Sequence, residues 1–306
     1  DNTGRPAEDG GQAAGGPRET GYGADTMRIN SPDPAAVPSS LSQCAARRPL
    51  HAGTSGVLPV NPSPYPFGAA PDSRLLHRKA ETEPEDFAIR DIKRSRQRLD
   101  LISRTGILRL TPVNEAVIRI QFLADTVPST SPRGWWDCRP KAPVPWTARA
   151  GKSLVELSTQ TLKIQADRRS GALRFFDRDG RRLLSENTAL PRRVEVKDRI
   201  RTWEYFDWQK SEKLSAKGIL TEDLKRMDHK ARYISFGGKR LRMPLLVSEY
   251  GYGLGIAAEE TVLCCNIPMY GTYLYTEGDR QIDYYFLCGK DYGEILELYQ
   301  KLQKKS

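Results

Sequence analysis

Neighbouring carboxylates are the first residues in this sequence whose types suggest chemistry. Glu259 and Glu260 adjoin each other, and paired carboxyl groups serve as general acid and base in many enzymes. Because adjacent residues of a strand point to opposite faces of a sheet, these two are not expected to flank one reacting bond. Asp137 and Asp207 each adjoin a tryptophan, and we expect surface or loop roles for both. No catalytic residue is therefore predicted within this chain.

Tryptophans form a second group with chemical potential. Trp135, Trp136 and Trp146 lie in a proline-rich stretch, residues 126–147, which is predicted to be a loop. Aromatic faces pack on the apolar faces of sugar rings, and exposed aromatic residues often mark binding sites. Trp135 and Trp136 are therefore candidate substrate-binding residues for carbohydrate. Core packing, or contact with another domain, is an equally good interpretation.

Metal-binding patterns are lacking in the sequence. The five cysteines include one adjacent pair, Cys264 and Cys265, and form no C-x-x-C motif; the three histidines are scattered. This composition predicts neither a structural zinc site nor a disulfide framework, and no metal or other cofactor is expected. Cys264 and Cys265 are interpreted as small apolar filler of a strand. Free thiols favour a reducing compartment, so a cytoplasmic location is predicted.

Composition divides the chain unevenly. Residues 1–85 hold 12 of the 21 prolines and 10 of the 25 glycines, with almost no apolar run. Such a stretch buries too little apolar surface to offset its ordering entropy, so a disordered low-complexity tail is predicted for residues 1–85. No apolar run approaches the length of a membrane span, and no secretory signal is recognisable, so no membrane partner is expected.

Positive charge is concentrated after the tail. The formal net charge is +10, and residues 1–85 contribute −2, so the remainder carries +12. Residues 81–100 are especially charged and can be interpreted as a basic arm for nucleic acid or as a solvated lead-in to the first strand. We favour the lead-in, because no recognition helix or repeated basic-aromatic pattern accompanies it, and no nucleic-acid partner is predicted.

Short strands are predicted along the rest of the chain, up to the last 16 residues. Apolar and polar residues alternate in Val117–Phe122, and Asp179-Gly180 is a hairpin turn signal between two such runs. Strands separated by turn signals at this spacing are typical of an antiparallel all-β sandwich. The predicted strands cover residues 106–110, 117–122, 153–157, 162–166, 173–176, 181–184, 194–196, 202–206, 233–236, 245–248, 253–257, 261–264 and 281–286.

A helix is predicted over residues 291–306. Asp291 and Glu294 have the spacing of an acidic capping box. Ile295, Tyr299 and Leu302, together with Leu298, then recur with helical periodicity. We expect this apolar stripe to pack on the edge of the sandwich.

Three segments of the chain, in order, form a pattern of motifs. The first extends from Val155 to Leu184, with Gly171-Ala172-Leu173-Arg174-Phe175-Phe176-Asp177 at its centre. The second reads Met243-Pro244-Leu245-Leu246-Val247-Ser248, followed by Gly251-Tyr252-Gly253. The third is Asp283-Tyr284-Tyr285-Phe286-Leu287-Cys288-Gly289. Together they resemble the N-terminal domain of glycoside hydrolase family 31. The resemblance covers about 200 residues, and it departs from the family pattern before the second segment, where Gly218 alone matches a glycine-rich element.

This resemblance implies a galactose-mutarotase-like β-sandwich over residues 86–290, after which the helix leads toward a catalytic (β/α)₈ barrel. In the family both catalytic aspartates belong to that barrel, which takes about 250 residues. The sequence continues for 17 residues after Gly289, so we expect this chain to be inactive alone. The resemblance also implies that Asp228 lies near a loop that reaches the substrate, although an exposed charged turn is the favoured interpretation.

The predicted function is that of an accessory domain, or fragment, of a family 31 α-glycosidase that shapes the substrate entrance. Its partner would be an α-glycoside, bound together with a barrel, and an unpartnered sandwich should then expose an apolar face. A non-catalytic sandwich that binds carbohydrate or protein is the alternative. A mutarotase-like epimerase ranks lower, because it needs a glutamate and a histidine and His229 is the one histidine in the predicted sandwich.

Overall fold

The computed structural model of the chain describes residues 65–76, 86–125, 143–218, 222–236, 243–258, 261–278 and 281–303. These residues form two helices and a succession of short strands. The helices are α1 (Ser73–Leu76) and α2 (Tyr292–Gln303). The strands are β1 (Asp91–Arg94), β2 (Leu99–Ile102), β3 (Gly106–Asn114), β4 (Val117–Ala124), β5 (Thr147–Ala150), β6 (Leu154–Ser158), β7 (Leu162–Asp167), β8 (Leu173–Asp177), β9 (Arg182–Ser185), β10 (Arg192–Val196), β11 (Ile200–Tyr205), β12 (Leu214–Ala216), β13 (Lys230–Tyr233), β14 (Leu245–Ser248), β15 (Tyr252–Ile256), β16 (Thr261–Ile267), β17 (Gly271–Gly278) and β18 (Asp283–Cys288).

The strands form three antiparallel sheets. The largest has the order β1-β2-β3-β4-β18-β15-β14-β12, the second β10-β11-β17-β16-β13, and the third β5-β6-β7-β8-β9. Every strand pair named in these sheets is antiparallel. This architecture confirms the predicted all-β, antiparallel sandwich with a helix near the C-terminus.

The core lies where the three sheets face one another. In β7, Leu162, Ile164 and Ala166 are buried, and the residues between them are partly exposed. This alternation follows from the two-residue repeat of a strand. Ile164 of the third sheet, Leu254 of the first and Cys264 of the second belong to one apolar cluster. The prediction that Cys264 fills a buried strand position is confirmed, and burial raises the pKa of its thiol.

Strand β15 separates this core from a second apolar cluster under α2. Every second residue of β15 faces the main core, and Gly253 and Gly255 lie between them. A Cβ at Gly253 would lie 2.7 Å from Cγ2 of Ile295, and a Cβ at Gly255 would lie 2.8 Å from Cε of Met243. Glycine at position 253 therefore lets α2 approach the sheet closely, and glycine at position 255 leaves room for Met243, which precedes β14.

Helix α2 begins with the predicted cap. The side chain of Asp291 accepts a hydrogen bond from the backbone N–H of Glu294 at 2.9 Å. The Glu294 carboxylate accepts one from the N–H of Lys290 at 2.7 Å, one residue before the position that a regular capping box uses. Both groups satisfy backbone donors that a helix start leaves unpaired.

The docking position of α2 differs from the prediction. Ile295, Tyr299 and Leu302 are buried, as the periodicity predicts. They pack on the face formed by β14, β15 and β18, and β15 and β18 lie inside the sheet. The prediction of an edge contact was wrong, because only the tertiary structure shows that β15 presents glycines to the helix.

The charged stretch of residues 81–100 also differs from its prediction as a solvated lead-in. Its second half forms a hairpin of β1 and β2. Leu99 and Leu101 are 1% exposed and belong to the main core, although the arginines and lysines around them conceal this pattern in the sequence. Asp100 of β2 lies 2.8 Å from Nε of Arg109 in β3.

Residues 65–76 belong to the folded part, although they lie within the predicted tail. The N–H of Gly68 donates to the carbonyl of Tyr233 at 2.8 Å, and the carbonyl of Ala69 accepts from the N–H of Tyr233 at 2.9 Å. The ring of Tyr65 stacks on the Tyr233 ring with centroids 4.1 Å apart. The composition of the tail as a whole hides this short aromatic segment, which pairs with the edge strand β13.

No helix in the described part of the chain has the length and hydropathy required to cross a membrane. Within the same ranges, no group of three or more histidine, cysteine, aspartate or glutamate side chains is arranged to hold a metal ion.

Candidate functional site

Asp228 lies in an exposed turn at the start of β13. The backbone φ angles of Arg226 and His229 are 56° and 54°, in the left-handed region that non-glycine residues seldom adopt. Met227 between them is buried, and its N–H donates to the carbonyl of Leu214 at 3.0 Å. The side chain of Asp228 is exposed and makes no hydrogen bond or ion pair with any described residue. Its role as a sugar contact stays a prediction.

The candidate residues Trp135 and Trp136 lie outside the described residues, as do Glu259 and Glu260. Trp146 of the same predicted loop is described and is half-buried. Its Nε1 donates to the carbonyl of Arg96 at 3.1 Å, and the guanidinium of Arg94 lies 4.7 Å from its ring centroid. Trp146 therefore packs against the β1–β2 hairpin, and this contact favours packing over sugar binding as its role.

A cleft in the described surface lies on the outer face of the β8–β9 hairpin. It has a volume of about 680 Å³, within the range of about 300–1,000 Å³ that is typical of small-molecule sites. We call it the arginine cleft. Its lining residues are Arg174 and Phe176 of β8, Arg182 and Ser185 of β9, and Glu186, Thr188 and Asp207 beyond them.

The hairpin register explains why these side chains meet. In β8, Leu173 and Phe175 are buried, so Arg174 and Phe176 occupy the opposite face. Phe176 pairs with Arg182 across the strands, and an irregularity in the register between Phe175 and Phe176 shifts the pairing. The two arginines and one aromatic ring are thereby placed on one face.

The turn of this hairpin forms as predicted. Gly180 has a φ of 82°, which a glycine adopts without strain. The Asp177 carboxylate accepts hydrogen bonds from the N–H groups of Asp179 and Arg181 and from Nε of Arg181, at 2.9–3.1 Å. Burial raises the pKa of Asp177, but these bonds and the charge of Arg181 outweigh it, so the pKa is lowered overall.

A smaller cleft adjoins the arginine cleft, and the two share Thr188. Its volume is about 390 Å³, and Asp86, Phe87, Asp167, Arg169, Ser170, Ala189 and Pro191 line the rest of it. The Asp167 side chain already accepts hydrogen bonds from the N–H groups of Arg169 and Ser170, both at 2.9 Å. Burial alone would raise the pKa of Asp167, but the hydrogen bonds from Ser170 and Arg169 have the larger combined effect. The pKa is therefore lowered overall, which favours the anion within this turn.

The floor of the arginine cleft is connected to a buried polar cluster. The side chain of Glu186 is fully buried, and its Oε2 accepts from the N–H of Leu173 at 2.8 Å. The same oxygen makes a very short contact with a guanidinium nitrogen of Arg192, and Oε1 accepts from the hydroxyl of Tyr284 at 3.2 Å. We call Glu186, Arg192, Glu204 and Tyr284 the carboxyl cluster.

A second carboxyl group approaches the same arginine. Oε1 of Glu204 lies 3.7 Å from Nε of Arg192, and neither Glu204 oxygen has a hydrogen-bond partner. Burial raises the pKa of Glu204 well above its ordinary value, and repulsion from Glu186 is the second-largest cause of the shift. Burial lowers the pKa of Arg192, but the charges of Glu186 and Glu204 outweigh this effect and raise it overall. Burial and the neighbouring carboxylate therefore favour the neutral form of Glu204, and Glu186, which contacts the guanidinium directly, is the principal partner of Arg192.

The carboxyl cluster does not have the arrangement of a glycosidase active site. That reaction requires two carboxyl groups on either side of a substrate bond. Glu186 and Glu204 are 0% and 4% exposed and both contact Arg192, so no sugar fits between them. The cluster satisfies buried charge within the sandwich.

Sequence reasoning did not identify the arginine cleft. Residues 173–176 and 181–184 were predicted as strands joined by a tight turn, which places Arg174 and Arg182 on outward positions. This predicted register was the one sequence signal that could have pointed to the two arginines of the cleft. The approach of Thr188 and Asp207 to the same surface comes from the connection to β10 and the end of β11, and no local pattern reveals it.

Solved structures with a similar fold are enzymes of glycoside hydrolase family 31 and related proteins. A family 31 dextranase from Flavobacterium johnsoniae, in complex with isomaltotriose, has 18% sequence identity and a TM-score of 0.59, over 71% of this chain and 28% of that chain. A family 31 α-xylosidase from a soil metagenome, in complex with xylose, has 13% identity and a TM-score of 0.57, over 67% and 33%. A cycloalternan-forming enzyme from Listeria monocytogenes, in complex with a pentasaccharide substrate, has 17% identity and a TM-score of 0.57, over 70% and 22%.

The chain therefore has the fold of one part of these enzymes, as the sequence resemblance predicts, and spans a third or less of their length. No protein-family model matches the sequence, and no curated protein matches it either.

Proposed function

We propose that this chain is the non-catalytic β-sandwich domain of a family 31-type α-glycosidase and acts in carbohydrate metabolism by shaping the substrate entrance of a catalytic barrel. The observation that carries the proposal is the fold, since about 70% of the chain matches a minor part of sugar-bound enzymes. The burial of Glu186, which lies beneath the arginine cleft, and of Glu204, its neighbour in the carboxyl cluster, supports a non-catalytic role. The domain would comprise residues 86–290, with α2 leading toward the barrel.

The surface of the described residues bears on how such a domain would meet a barrel. Its exposed large apolar side chains are Tyr65, Val196, Met269 and Tyr292, which lie in four separate parts of the chain. The apolar face expected of an unpartnered sandwich is therefore not seen in this part of the chain. Contacts between domains of one protein are commonly as polar as transient protein–protein interfaces, so a barrel contact through polar residues is the form of the proposal that fits this surface.

Two measurements test the proposal. The purified chain should not hydrolyse nitrophenyl α-glucoside or α-xyloside, and it should bind an α-linked oligosaccharide such as isomaltotriose saturably in titration calorimetry. Turnover that disappears when a carboxylate of this chain is replaced would contradict a non-catalytic role. Failure to bind any oligosaccharide would remove the support for carbohydrate contact by this domain.

A free-standing sandwich that binds carbohydrate or protein is the second candidate. The arginine cleft favours it, because strands and connections of this chain alone form the cleft. A monomer in sedimentation analysis that binds an oligosaccharide without a barrel would favour this candidate. An epimerase is not favoured, because His229 lines neither described cleft; catalysed anomer interconversion in polarimetry would reverse that order.

A cytoplasmic location is also proposed. Cys264, Cys265 and Cys288 are free thiols, which supports a reducing compartment. Fractionation of cells that produce the protein would test it.

A further inference from the structure

Two arginines of the arginine cleft make no ion pair or hydrogen bond with any described residue. Arg174 is half-buried and Arg182 is exposed. Arg174 is near enough to Asp167 of the smaller cleft for its charge to help lower the pKa of that carboxyl. Nearby arginines of the same hairpin behave differently. Nε of Arg181 lies 3.0 Å from Asp177, and Nε of Arg178 lies 3.8 Å from Asp179.

The negative groups of the arginine cleft are already engaged elsewhere. The charge of Glu186 is balanced by Arg192 inside the carboxyl cluster. Oδ1 of Asp207 accepts a hydrogen bond from Nδ2 of Asn187 at 2.9 Å. The cleft therefore presents two guanidinium groups that form no ion pair with a described residue, against one exposed carboxylate, and its surface attracts anions.

The remaining lining defines the rest of a ligand. Arg174 and Phe176 are two residues apart on one strand face, about 6.6 Å by the rise of a strand, so one small ligand can contact both. The Phe176 ring offers an apolar face, while Thr188 and Asp207 offer oxygen atoms to hydroxyl groups. Guanidinium groups bind carboxylate and phosphate oxygens through paired hydrogen bonds.

We propose that the arginine cleft binds a sugar that carries an anionic group, a carboxylate or a phosphate. Arg174 and Arg182 hold the anionic group, Phe176 packs on the sugar ring, and Asp207 and Thr188 accept hydrogen bonds from hydroxyl groups. The inference rests on the proposed carbohydrate role and names the class of sugar. The proposed site is the arginine cleft and not the exposed turn at Asp228.

Calorimetric titration of the full chain tests the proposal with four probes: a glucuronate-containing disaccharide, glucose 6-phosphate, neutral isomaltotriose and inorganic phosphate. At least one anionic sugar should bind with a Kd at least tenfold lower than that of isomaltotriose and of phosphate alone. The two anionic probes distinguish a carboxylate from a phosphate. Raising the salt concentration should weaken the binding, because the contacts are charged.

Matched substitutions locate the binding. Arg174→Gln and Arg182→Gln should each raise the Kd of the anionic sugar about tenfold, since hydrogen bonds to charged groups are among the stronger ones. Arg178→Gln, in the turn of the same hairpin but outside the lining, should leave the Kd within about twofold. Thermal melting of each variant verifies that the hairpin is folded, and Arg174→Lys provides a charge-preserving second variant.

Four results would overturn the inference. Equal affinity for isomaltotriose and the anionic sugars would remove the charge preference and leave the proposed function in place. Equal affinity for phosphate and glucose 6-phosphate would reduce the site to plain anion binding. Loss of affinity in Arg178→Gln to the same extent would place the binding outside the cleft, whereas no binding of any sugar would contradict the inference and the proposed function together.

Discussion

Two glutamates share one arginine inside the sandwich, and we expect the same substitution to have a large effect on stability at one and a small effect at the other. Glu186 contacts Arg192 directly, and Glu204 lies 3.7 Å from it without a hydrogen-bond partner. Because burial and the charge of Glu186 favour the neutral form of Glu204, Glu204→Gln exchanges one neutral group for another at low pH. Glu186→Gln instead removes the carboxylate that neutralises a buried guanidinium.

The magnitudes follow from this charge balance. Removing one partner of a buried ion pair costs about 3–5 kcal/mol. We expect about 3 kcal/mol for Glu186→Gln, the lower end of that range, because Glu204 can ionise and take over part of the counter-charge. For Glu204→Gln we expect less than about 1 kcal/mol at pH 5, where the exchange preserves both shape and charge.

The pH dependence provides a sharper test. The pKa of Glu204 is raised in the folded state above its ordinary value of 4.5, so its stabilising contribution is complete below pH 4.5 and is lost as the pH rises through the folded pKa. The loss amounts to at most about 1.4 kcal/mol per pH unit, or up to about 2.7 kcal/mol between pH 5 and pH 7. Glu204→Gln removes this loss, so the variant should gain stability relative to the parent over that interval.

Urea unfolding at pH 5, 6 and 7, followed by tryptophan fluorescence, measures the free energy of unfolding of the parent, of Glu186→Gln and of Glu204→Gln. The reasoning would be refuted if Glu204→Gln and the parent showed the same pH dependence. It would also be refuted if Glu204→Gln cost as much as Glu186→Gln at pH 5, because that result would make Glu204 the principal counter-ion.

The remaining predictions concern packing around the sandwich. Gly253→Ala should lower the free energy of unfolding by about 1–3 kcal/mol through overpacking, because the added Cβ would lie 2.7 Å from Ile295. In an Ile295→Ala background, the same substitution should lower the free energy of unfolding in urea by much less. Tyr299→Phe removes a hydroxyl that donates to a backbone carbonyl at 2.5 Å and should cost about 1 kcal/mol, as a lowered urea midpoint with unchanged slope. Tyr65→Ala removes the stacked partner of Tyr233 and should cost about 0.5–1.5 kcal/mol, with faster hydrogen exchange at the Gly68 amide.

Controls for these variants follow from the same contacts. Equal costs of Gly253→Ala with and without Ile295 would show that the clash is not with the helix. An unchanged midpoint for Tyr299→Phe would show that water replaces the lost donor. Unchanged exchange at Gly68 in Tyr65→Ala would show that residues 65–76 are held by their backbone bonds to β13 rather than by the aromatic pair.

The sequence by itself determined the features that depend on neighbouring residues. Alternation in β7 and β8 identifies strands, because a strand repeats every two residues. Asp179-Gly180 specifies the hairpin, because glycine accepts the positive φ found there. The cap at Asp291 and the buried stripe of α2 follow from the helical repeat.

The tertiary structure alone decided which of these surfaces meet. The glycines of β15 gain their meaning from a helix that approaches their face, and the charged residues around Leu99 conceal a core strand. Glu186 follows β9, outside the named strands, and Glu204 lies in β11, so no local pattern predicts that one arginine serves both. One side of the arginine cleft is closed by Asp207 at the end of β11, far in sequence from the β8–β9 hairpin, and such contacts depend on the packing of the whole core.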